Sequence, residues 1–252
     1  MSACTGAEQE CSMTDFAASF KTVEEAFFFL GFSSLEEIRT RRAQIAAAAR
    51  SPITESPETP VPCYLIGDTE TNGGKGGQLV IQLAFVLLDE ALQEISSYDH
   101  YLKLPDNNRY INPHAAGVHG ITLDTLDREG IDPKEALAYF FKCVSDVKKH
   151  RDGKVVFHNV NFDSKAITHT AETIGYAAPF PFTAQSCFCT MVNSKSRLGL
   201  TDKIGRPKAP KNTELHEALV GPVPEGTKLH DALADVRVTS ASFAAGVRAG
   251  WW

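Results

Sequence analysis

Beyond residue 62 the hydrophobic pattern alternates between short apolar runs and segments with helical spacing. Four apolar runs rich in β-branched and aromatic residues predict strands over 63–67, 79–88, 96–104 and 154–160. Apolar residues at helical spacing predict helices that begin near 132 and cover 162–174 and 231–247. Three strands in succession, then helix, strand and helix, predict an α/β fold with a mixed central sheet flanked by helices.

The first helix of this region carries the clearest start signal. Asp132 suits the N-cap, and Pro133 suits the first helical position because the N–H that proline lacks would have no helical partner there. An apolar stripe follows at helical spacing, made of Leu137, Phe140, Phe141 and Val144. We expect this stripe to pack against the sheet.

The first 62 residues have a different pattern. Residues 1–20 are polar and aperiodic and predict a flexible tail. Residues 21–50 predict a helical hairpin as an N-terminal extension, because capping boxes at Thr22–Glu25 and Ser34–Glu37 mark two helix starts. Residues 51–62 contain four prolines, which exclude a helix or an inner strand and predict a linker.

Composition narrows the class of protein. The 252 residues are 43% apolar and 22% charged, ordinary globular proportions that exclude disorder throughout. No stretch approaches the roughly 18 apolar residues of a membrane span, so we expect no membrane partner. The acidic N-terminus lacks the apolar core of an export signal, and the six cysteines suit reduced thiols. These features predict an intracellular protein, cytoplasmic or nuclear, that is not secreted.

Net charge neither excludes nor requires a polyanionic substrate. The total is −6, but the first 60 residues hold nine acidic and five basic residues. The rest of the chain is therefore close to neutral. It becomes positive when four of its acids hold two divalent cations.

Two acidic residues follow the first predicted strand. Asp68 and Glu70 are two positions apart, so an extended chain presents both carboxylates on one side. Adjacent carboxylates repel each other unless a cation lies between them. A metal site and an ordinary solvated strand end both fit this pair.

A third acid follows the predicted strand 154–160. Asp163 lies where a helix is expected to begin, so it suits an N-cap. It also suits a third carboxylate at the same edge of the sheet, since open α/β sheets bind ligands at the carboxyl ends of their strands. The sequence leaves both interpretations open.

The last predicted helix adds a histidine and two acids. On an ideal helix His230 and Asp235 would be rotated by about 140° from each other. They converge only if His230 lies on the loop just before the helix. Asp231 and Asp235 share a face, so Asp231 is a rival ligand on geometry alone.

Together these segments resemble the DnaQ-like 3′–5′ exonuclease superfamily, in its DEDDh branch. In chain order the motifs are Asp-x-Glu at 68–70, His-Asn-x-x-Phe-Asp at 158–163 and His-x-x-x-x-Asp at 230–235. The resemblance covers about residues 61–248. It predicts a DEDDh exonuclease domain over 63–248.

The resemblance implies a ribonuclease-H-like fold in which four acids hold two Mg²⁺ or Mn²⁺ ions, the acids being Asp68, Glu70, Asp163 and Asp235. It implies that His230 is the general base, which takes a proton from the attacking water. The substrates would be single-stranded or frayed 3′ ends of DNA or RNA, hydrolysed to 5′-mononucleotides. The expected substrate contacts are Thr69, Thr71, Asn72, Asn161 and, as a weaker candidate, His119.

We favour DNA as the substrate because the motifs look more like those of proofreading and repair members. Two alternatives stay open: an exonuclease for RNA ends or oligoribonucleotides, and a catalytically silent nucleic-acid-binding module of the same fold. The silent module has no chemical need for the five catalytic side chains that the chain retains. A polymerase or a second copy of the chain as partner has no specific support in the sequence.

Two further features bear on this prediction. Gln82 stands where the family often has a glutamate, at a position that is not a metal ligand. Residues 195–211 hold six basic side chains against Asp202 alone. This segment suits either a surface for the phosphate backbone of a single strand or a solvated loop.

Overall fold

The computed structural model describes Glu36, residues 61–74 and residues 77–252. The predicted tail, helical hairpin and linker therefore lie outside the described residues, apart from Glu36, Val61 and Pro62. Residues 59–252 form one unit of the chain, and the fold below is that of this unit.

A five-stranded mixed sheet forms the centre of this unit. Its strands are β1 (Tyr64–Thr71), β2 (Val80–Leu88), β3 (Glu94–Tyr101), β4 (Lys154–Phe157) and β5 (Phe188–Cys189). The spatial order is β3-β2-β1-β4-β5. Strand β2 is antiparallel to both of its neighbours, β1 and β3, whereas β4 runs parallel to β1 and β5 runs parallel to β4. The predicted α/β class with a mixed sheet is confirmed.

Seven α-helices lie within the described residues. They are α1 (Pro113–His119), α2 (Leu123–Glu129), α3 (Pro133–Lys149), α4 (Val160–Thr173), α5 (Thr190–Leu198), α6 (Asn212–Leu219) and α7 (Ala232–Arg248). Helix α3 begins as predicted, because the Asp132 side chain accepts a hydrogen bond from the N–H of Lys134 at 2.8 Å. Its predicted apolar stripe is buried.

Both faces of the sheet are covered. Leu65 and Phe157 belong to an apolar cluster with residues of α3 and α4, whereas Ile66 belongs to a cluster with residues of α7. All nine residues of β2 are buried, as a strand covered on both faces requires. Gly67 lets β1 pass close to β4, because a Cβ there would lie 2.5 Å from the ring of Phe157.

The structure corrects several predicted boundaries and adds elements that the pattern missed. The strand predicted over 63–67 continues to Thr71, and the strand predicted over 96–104 ends at Tyr101. The strand predicted over 154–160 ends at Phe157, because Asn159 adopts a left-handed conformation with φ of 68° and α4 begins at Val160. The two-residue strand β5 and the helices α1, α2, α5 and α6 were not predicted. None of the helices in the described part of the chain is long and apolar enough to cross a membrane.

Candidate active site

The end of β1 presents its polar residues on two sides. Asp68 and Glu70 are partly exposed, and they alternate with the buried residues Thr69 and Thr71. The two carboxylates therefore share the side of the strand on which Ile66 contacts the α7 cluster, as the spacing predicted. The two threonines point to the opposite side of the strand, where Thr69 reaches Asp163 of α4.

Asp163 lies in the first turn of α4 and is only 2% exposed. Its carboxylate accepts a hydrogen bond from the Thr69 hydroxyl at 2.8 Å, which ties α4 to the end of β1. The N-cap of this helix is Asn159, so the N-cap interpretation of Asp163 is wrong. The structure places Asp163 with the other carboxylates.

His230 lies on the loop before α7, which begins at Ala232. Its φ of 63° is unusual for a residue other than glycine. This conformation allows the backbone N–H of His230 to donate to Asp235 Oδ2 at 2.9 Å. Asp231 is instead the N-cap of α7 and accepts from the N–H of Ala234 at 3.3 Å. Asp231, the rival metal ligand in the sequence, therefore caps the helix.

The three segments meet at one place. One possible ligand atom each from Glu70, His230 and Asp235 lies within 4.8 Å of the others. A cavity of about 380 Å³ is lined by Asp68, His230 and Asp235. Together with the neighbouring Asp163, the fold thus brings the four predicted acids and the predicted histidine to one edge of the sheet.

The carboxylates of this cluster resist ionisation. Burial, followed by repulsion from Asp163, Asp235 and Glu70, holds the pKa of Asp68 well above its ordinary value. Burial and the same kind of repulsion raise the pKa of Glu70 to about 8. Burial raises the pKa of Asp163 to about 7, against the opposing effect of the Thr69 hydrogen bond.

The pKa of Asp235 is also raised by burial, although its hydrogen bond from His230 opposes the shift. Among the described residues, no lysine or arginine forms an ion pair with any of the four carboxylates. Hard divalent cations prefer carboxylate oxygens and would favour the ionised forms. The donor set and its uncompensated charge therefore fit Mg²⁺ or Mn²⁺.

The predicted substrate contacts near β1 already form hydrogen bonds within the chain. Thr69 donates to Asp163, and the hydroxyl of Thr71 donates to Gln78 Oε1 at 3.3 Å. Asn72 is fully buried, and its side chain donates to the carbonyl of Tyr110 and accepts from the N–H of Leu79. The amide of Asn72 therefore shapes the turn after β1.

His119 and Asn161 differ in burial. His119 is 5% exposed, and its Nδ1 accepts from the N–H of Ile121 at 2.9 Å, so the proton of the neutral ring is on Nε2. That Nε2 is buried and has no hydrogen-bond partner in the described part of the chain. Burial lowers the pKa of His119, a contact with the Thr71 backbone opposes this shift, and nearby His230 adds to it. Asn161 is exposed beside Asp163 and lines a separate cavity.

The structure adds residues that the motifs did not indicate. Asn212 and Thr213 line the same cavity as Asp68, and Asn212 Nδ2 donates to the carbonyl of Asp235 at 3.1 Å. Gln82 Oε1 accepts from the N–H of Ala232 at 3.3 Å, so β2 holds the start of α7. The only sequence signal for this role is a buried amide within an apolar strand.

The basic segment 195–211 is partly neutralised. Arg206 pairs with Asp202 and Lys208 pairs with Glu214, while Arg197 lies over the ring of Trp251. Lys211 lines the cavity of the acid cluster. The segment is therefore not a uniform positive surface, although one of its lysines reaches the candidate site.

A family model described as Exonuclease (RNase_T) matches residues 65–243. The fold is similar to that of the zinc-bound E. coli exonuclease I–single-stranded DNA complex, with 20% identity and a TM-score of 0.56. That likeness covers 74% of this chain and 40% of exonuclease I, so the chain spans less than half of that protein.

Two shorter proteins have the same fold. The nuclease domain of 3′hExo, a DEDDh family member bound to rAMP, has 17% identity and a TM-score of 0.58, over 74% of this chain and 92% of that one. A 3′-exonuclease described with a histone mRNA stem-loop has 15% identity and a TM-score of 0.58, over 74% and 82%. No curated protein sequence matches the chain.

Proposed function

Because the chain belongs to the exonuclease family whose model matches residues 65–243, we propose that it removes nucleotides one at a time from 3′ ends. The match confirms the expected exonuclease family, and the similar structures, one of which is described as a DEDDh family member, share the expected fold. The observation that carries the proposal is the meeting of four acids from three separate segments, none of which forms an ion pair with a lysine or arginine of the described residues. We assign this activity to a domain over 63–248.

Asp68, Glu70, Asp163 and Asp235 would hold two divalent cations, Mg²⁺ or Mn²⁺. When bound, such a pair stabilises the attacking and leaving oxygens of an in-line phosphoryl displacement. The contribution of the chain is to fix the acids in place. Thr69 orients Asp163, the His230 N–H orients Asp235, and Asn212 holds the backbone at Asp235.

His230 is the general base in this proposal. It lies at the cavity beside Glu70 and Asp235, and histidine exchanges protons near neutral pH. Its imidazole accepts a proton from the attacking water. The strained backbone at His230 keeps the ring at the acid cluster, where a residue inside the helix would point elsewhere.

His119 is a substrate contact in this proposal, since its buried Nε2–H, which is near the backbone of Thr71, has no well-placed acceptor among the described residues. An oxygen of the terminal nucleotide would supply it. Thr69, Thr71 and Asn161 border the same edge, and Asn72 contributes by shaping the turn after β1.

The substrate is the 3′ end of a single-stranded or frayed strand, and we favour DNA. Similar structures are described with single-stranded DNA or a DNA oligonucleotide in some cases and with a histone mRNA stem-loop or rAMP in others. An exonuclease for RNA ends is therefore the second candidate. Both candidates need the same acid cluster and differ in the contacts to the sugar.

The test uses 5′-labelled single-stranded DNA and RNA of matched sequence, each with Mg²⁺, Mn²⁺ or EDTA. The proposal predicts a metal-dependent ladder that shortens from the 3′ end, with 5′-mononucleotides identified by mass spectrometry. Asp163→Asn should abolish the ladder, whereas Asp146→Asn, which changes a carboxylate on α3, should keep it. Binding of both strands without any shortening would support a silent binding module instead. Faster loss of RNA would select the second candidate.

A further inference from the structure

A row of polar side chains crosses the face of the sheet that α7 covers. In the strand register, Gln82 of β2 pairs with Glu70 of β1. Ala84, two residues further along β2, pairs with Asp99 of β3 and belongs to the apolar cluster with residues of α7. Paired residues share a face of the sheet, and so do residues two apart along a strand. The row therefore extends from the edge strand β3 to the acid cluster on β1.

Gln82 is a buried amide with a partner at each end. It is 2% exposed, and the other residues of β2 are apolar. Its Nε2 donates to Asp99 Oδ1 at 2.8 Å, and its Oε1 accepts from the N–H of Ala232 at 3.3 Å. A carboxylate accepts and a backbone N–H donates, so these two partners fix the orientation of the amide. We call the two hydrogen bonds, from Ala232 through Gln82 to Asp99, the Gln82 bridge.

The Gln82 bridge ends at the first residue of α7. The N–H of Ala232 has no acceptor within the helix, as is general for the first helical turn. His230 lies two residues before Ala232, and Asp235 lies three residues after it. The bridge therefore ties both site residues to the sheet through the backbone between them. A shift of the amino end of α7 would displace both.

The neutral amide suits the charges on either side of it. Glu70 lies on the neighbouring strand to one side of Gln82, and Asp99 lies on the neighbouring strand to the other. A carboxylate between them would repel both, because like charges at this distance disfavour each other. The amide of Gln82 instead donates to Asp99 and adds no charge beside the acid cluster. The glutamine on β2 and the aspartate on β3 therefore match each other as a pair.

We propose that Gln82 and Asp99 are positioning residues of the active site, which hold His230 and Asp235 at the acid cluster through the amino end of α7. The inference rests on the proposed function, because it takes these two residues as parts of the site. Gln82 is buried and its amide is occupied by the bridge, so it acts on the geometry of the site. Its loss should lower kcat and leave KM for the strand nearly unchanged.

The first test removes the bridge at its centre. Gln82→Met keeps the length of the side chain and removes both hydrogen bonds. We expect kcat to fall by roughly 10- to 100-fold, the usual range for groups that orient the residues of a metal site, with little change in KM. Gln93→Met makes the same change at an exposed glutamine on the β2–β3 turn and is the matched control. It should keep the wild-type kcat.

The second test exchanges the two ends of the Gln82–Asp99 hydrogen bond. Gln82→Glu should lower kcat, because the new carboxylate faces that of Asp99. Asp99→Asn should lower kcat far less, because the new amide oxygen can still accept from Gln82. The double variant should regain most of the kcat lost in Gln82→Glu, since the asparagine donates and the glutamate accepts from both sides. Because Asp99 is exposed, general damage to the core would not be repaired there. A double variant no faster than Gln82→Glu would overturn the inference.

Hydrogen exchange in EDTA separates this inference from the proposed function. Mass spectrometry measures the exchange of the backbone amides of residues 230–236 without any cleavage. Exchange should be faster in Gln82→Met and Gln82→Glu and close to that of the wild type in the double variant. If the wild type shortens no strand but exchange follows this pattern, the bridge is supported and the exonuclease is not. If the wild type shortens strands but Gln82→Met matches Gln93→Met in both exchange and kcat, the bridge does not position the site.

Discussion

Two clusters of charged residues in this protein shift the pKa values of their carboxylates in opposite directions. On α3, Asp146 accepts from Lys142 at 2.8 Å and from Lys149 at 2.7 Å, and these lysines lower its pKa. At the end of β1, Asp68 faces three other carboxylates, and its pKa is raised. The surface acid has its counter-charge in the chain. Among the described residues the acids of the candidate site have no such ion pair, an arrangement that fits a bound cation as the counter-charge.

The two clusters also differ in the number of secondary-structure elements that form them. The Asp146 cluster lies on one helix, where residues three and four apart are neighbours without any tertiary structure. The acid cluster needs β1, α4 and α7 together, and each contributing segment is held by a hydrogen bond, as at Thr69 and Asp163. A repulsive arrangement persists only where the surrounding fold holds it.

The largest expected effect comes from removing one acid of the cluster. Asp163→Asn keeps the shape of the side chain but removes its negative charge, so cation binding should weaken. We expect the rate of nucleotide release to fall by about 10³-fold or more, since bound cations contribute several kcal/mol to the transition state. Asp146→Asn should change the rate less than twofold. Equal losses in the two variants would remove the distinction between the clusters.

The second largest effect is expected at His230. His230→Ala should lower kcat by roughly 10²- to 10⁴-fold, as the loss of a general base does. Because the carboxylates remain, the affinity for Mn²⁺ should stay largely intact. A variant that loses Mn²⁺ affinity in proportion to its rate would show that the imidazole is a ligand, which its distance to Glu70 and Asp235 also permits.

The pH dependence of stability should have opposite signs in the two clusters. In EDTA, the folded pKa values of Glu70 and Asp163, about 8 and about 7, exceed the ordinary values of 4.5 and 3.8. Their contribution to stability is therefore present at low pH and is lost as the pH rises through 7 and 8. Glu70→Gln should raise Tm at pH 8 by a few degrees and flatten this dependence. A lower Tm for the variant at pH 8 would contradict the raised pKa.

The smallest effect is expected at the surface cluster. The lowered pKa of Asp146 gives stability that is present above the ordinary pKa and is lost as the pH falls through the lower folded value. Because such exposed pairs contribute about 0–1 kcal/mol, Asp146→Asn should shift Tm at pH 7 by only a degree or two. Thermal melts from pH 3 to 9 check both variants together. A steep loss of Tm in Asp146→Asn at neutral pH would show that this cluster contributes more to stability than an exposed ion pair does.

The sequence predicts the order of the main elements because periodicity reports which faces are buried. It predicts α3 through Asp132 and Pro133, and it places His230 on the loop before α7. Strand β5 was not predicted, because two residues are too few to show a hydrophobic period. Phe188 belongs to a strand only because it pairs with β4.

The residues of the candidate site can be divided in the same way, into those that the sequence predicts and those that only the folded structure brings to the site. The acids were predicted from the resemblance of their motifs to those of the DEDDh exonucleases, whereas Asn212 and Lys211 reach the cavity only because α6 packs beside α7. The choice between Asp163 as a cap and as a site residue also depends on three-dimensional structure. The left-handed Asn159 shifts the helix start, and no local pattern announced that conformation.

The central claim is that the counter-charge of the acid cluster is a divalent cation. Calorimetric titration of the metal-free protein with Mn²⁺ at pH 7, in buffers of different ionisation enthalpy, tests it directly. We predict that the wild type and Asp146→Asn bind Mn²⁺ and release protons, because Glu70 and Asp163 ionise on binding. Asp163→Asn should bind much more weakly. Equal binding and proton release in all three proteins would contradict the account.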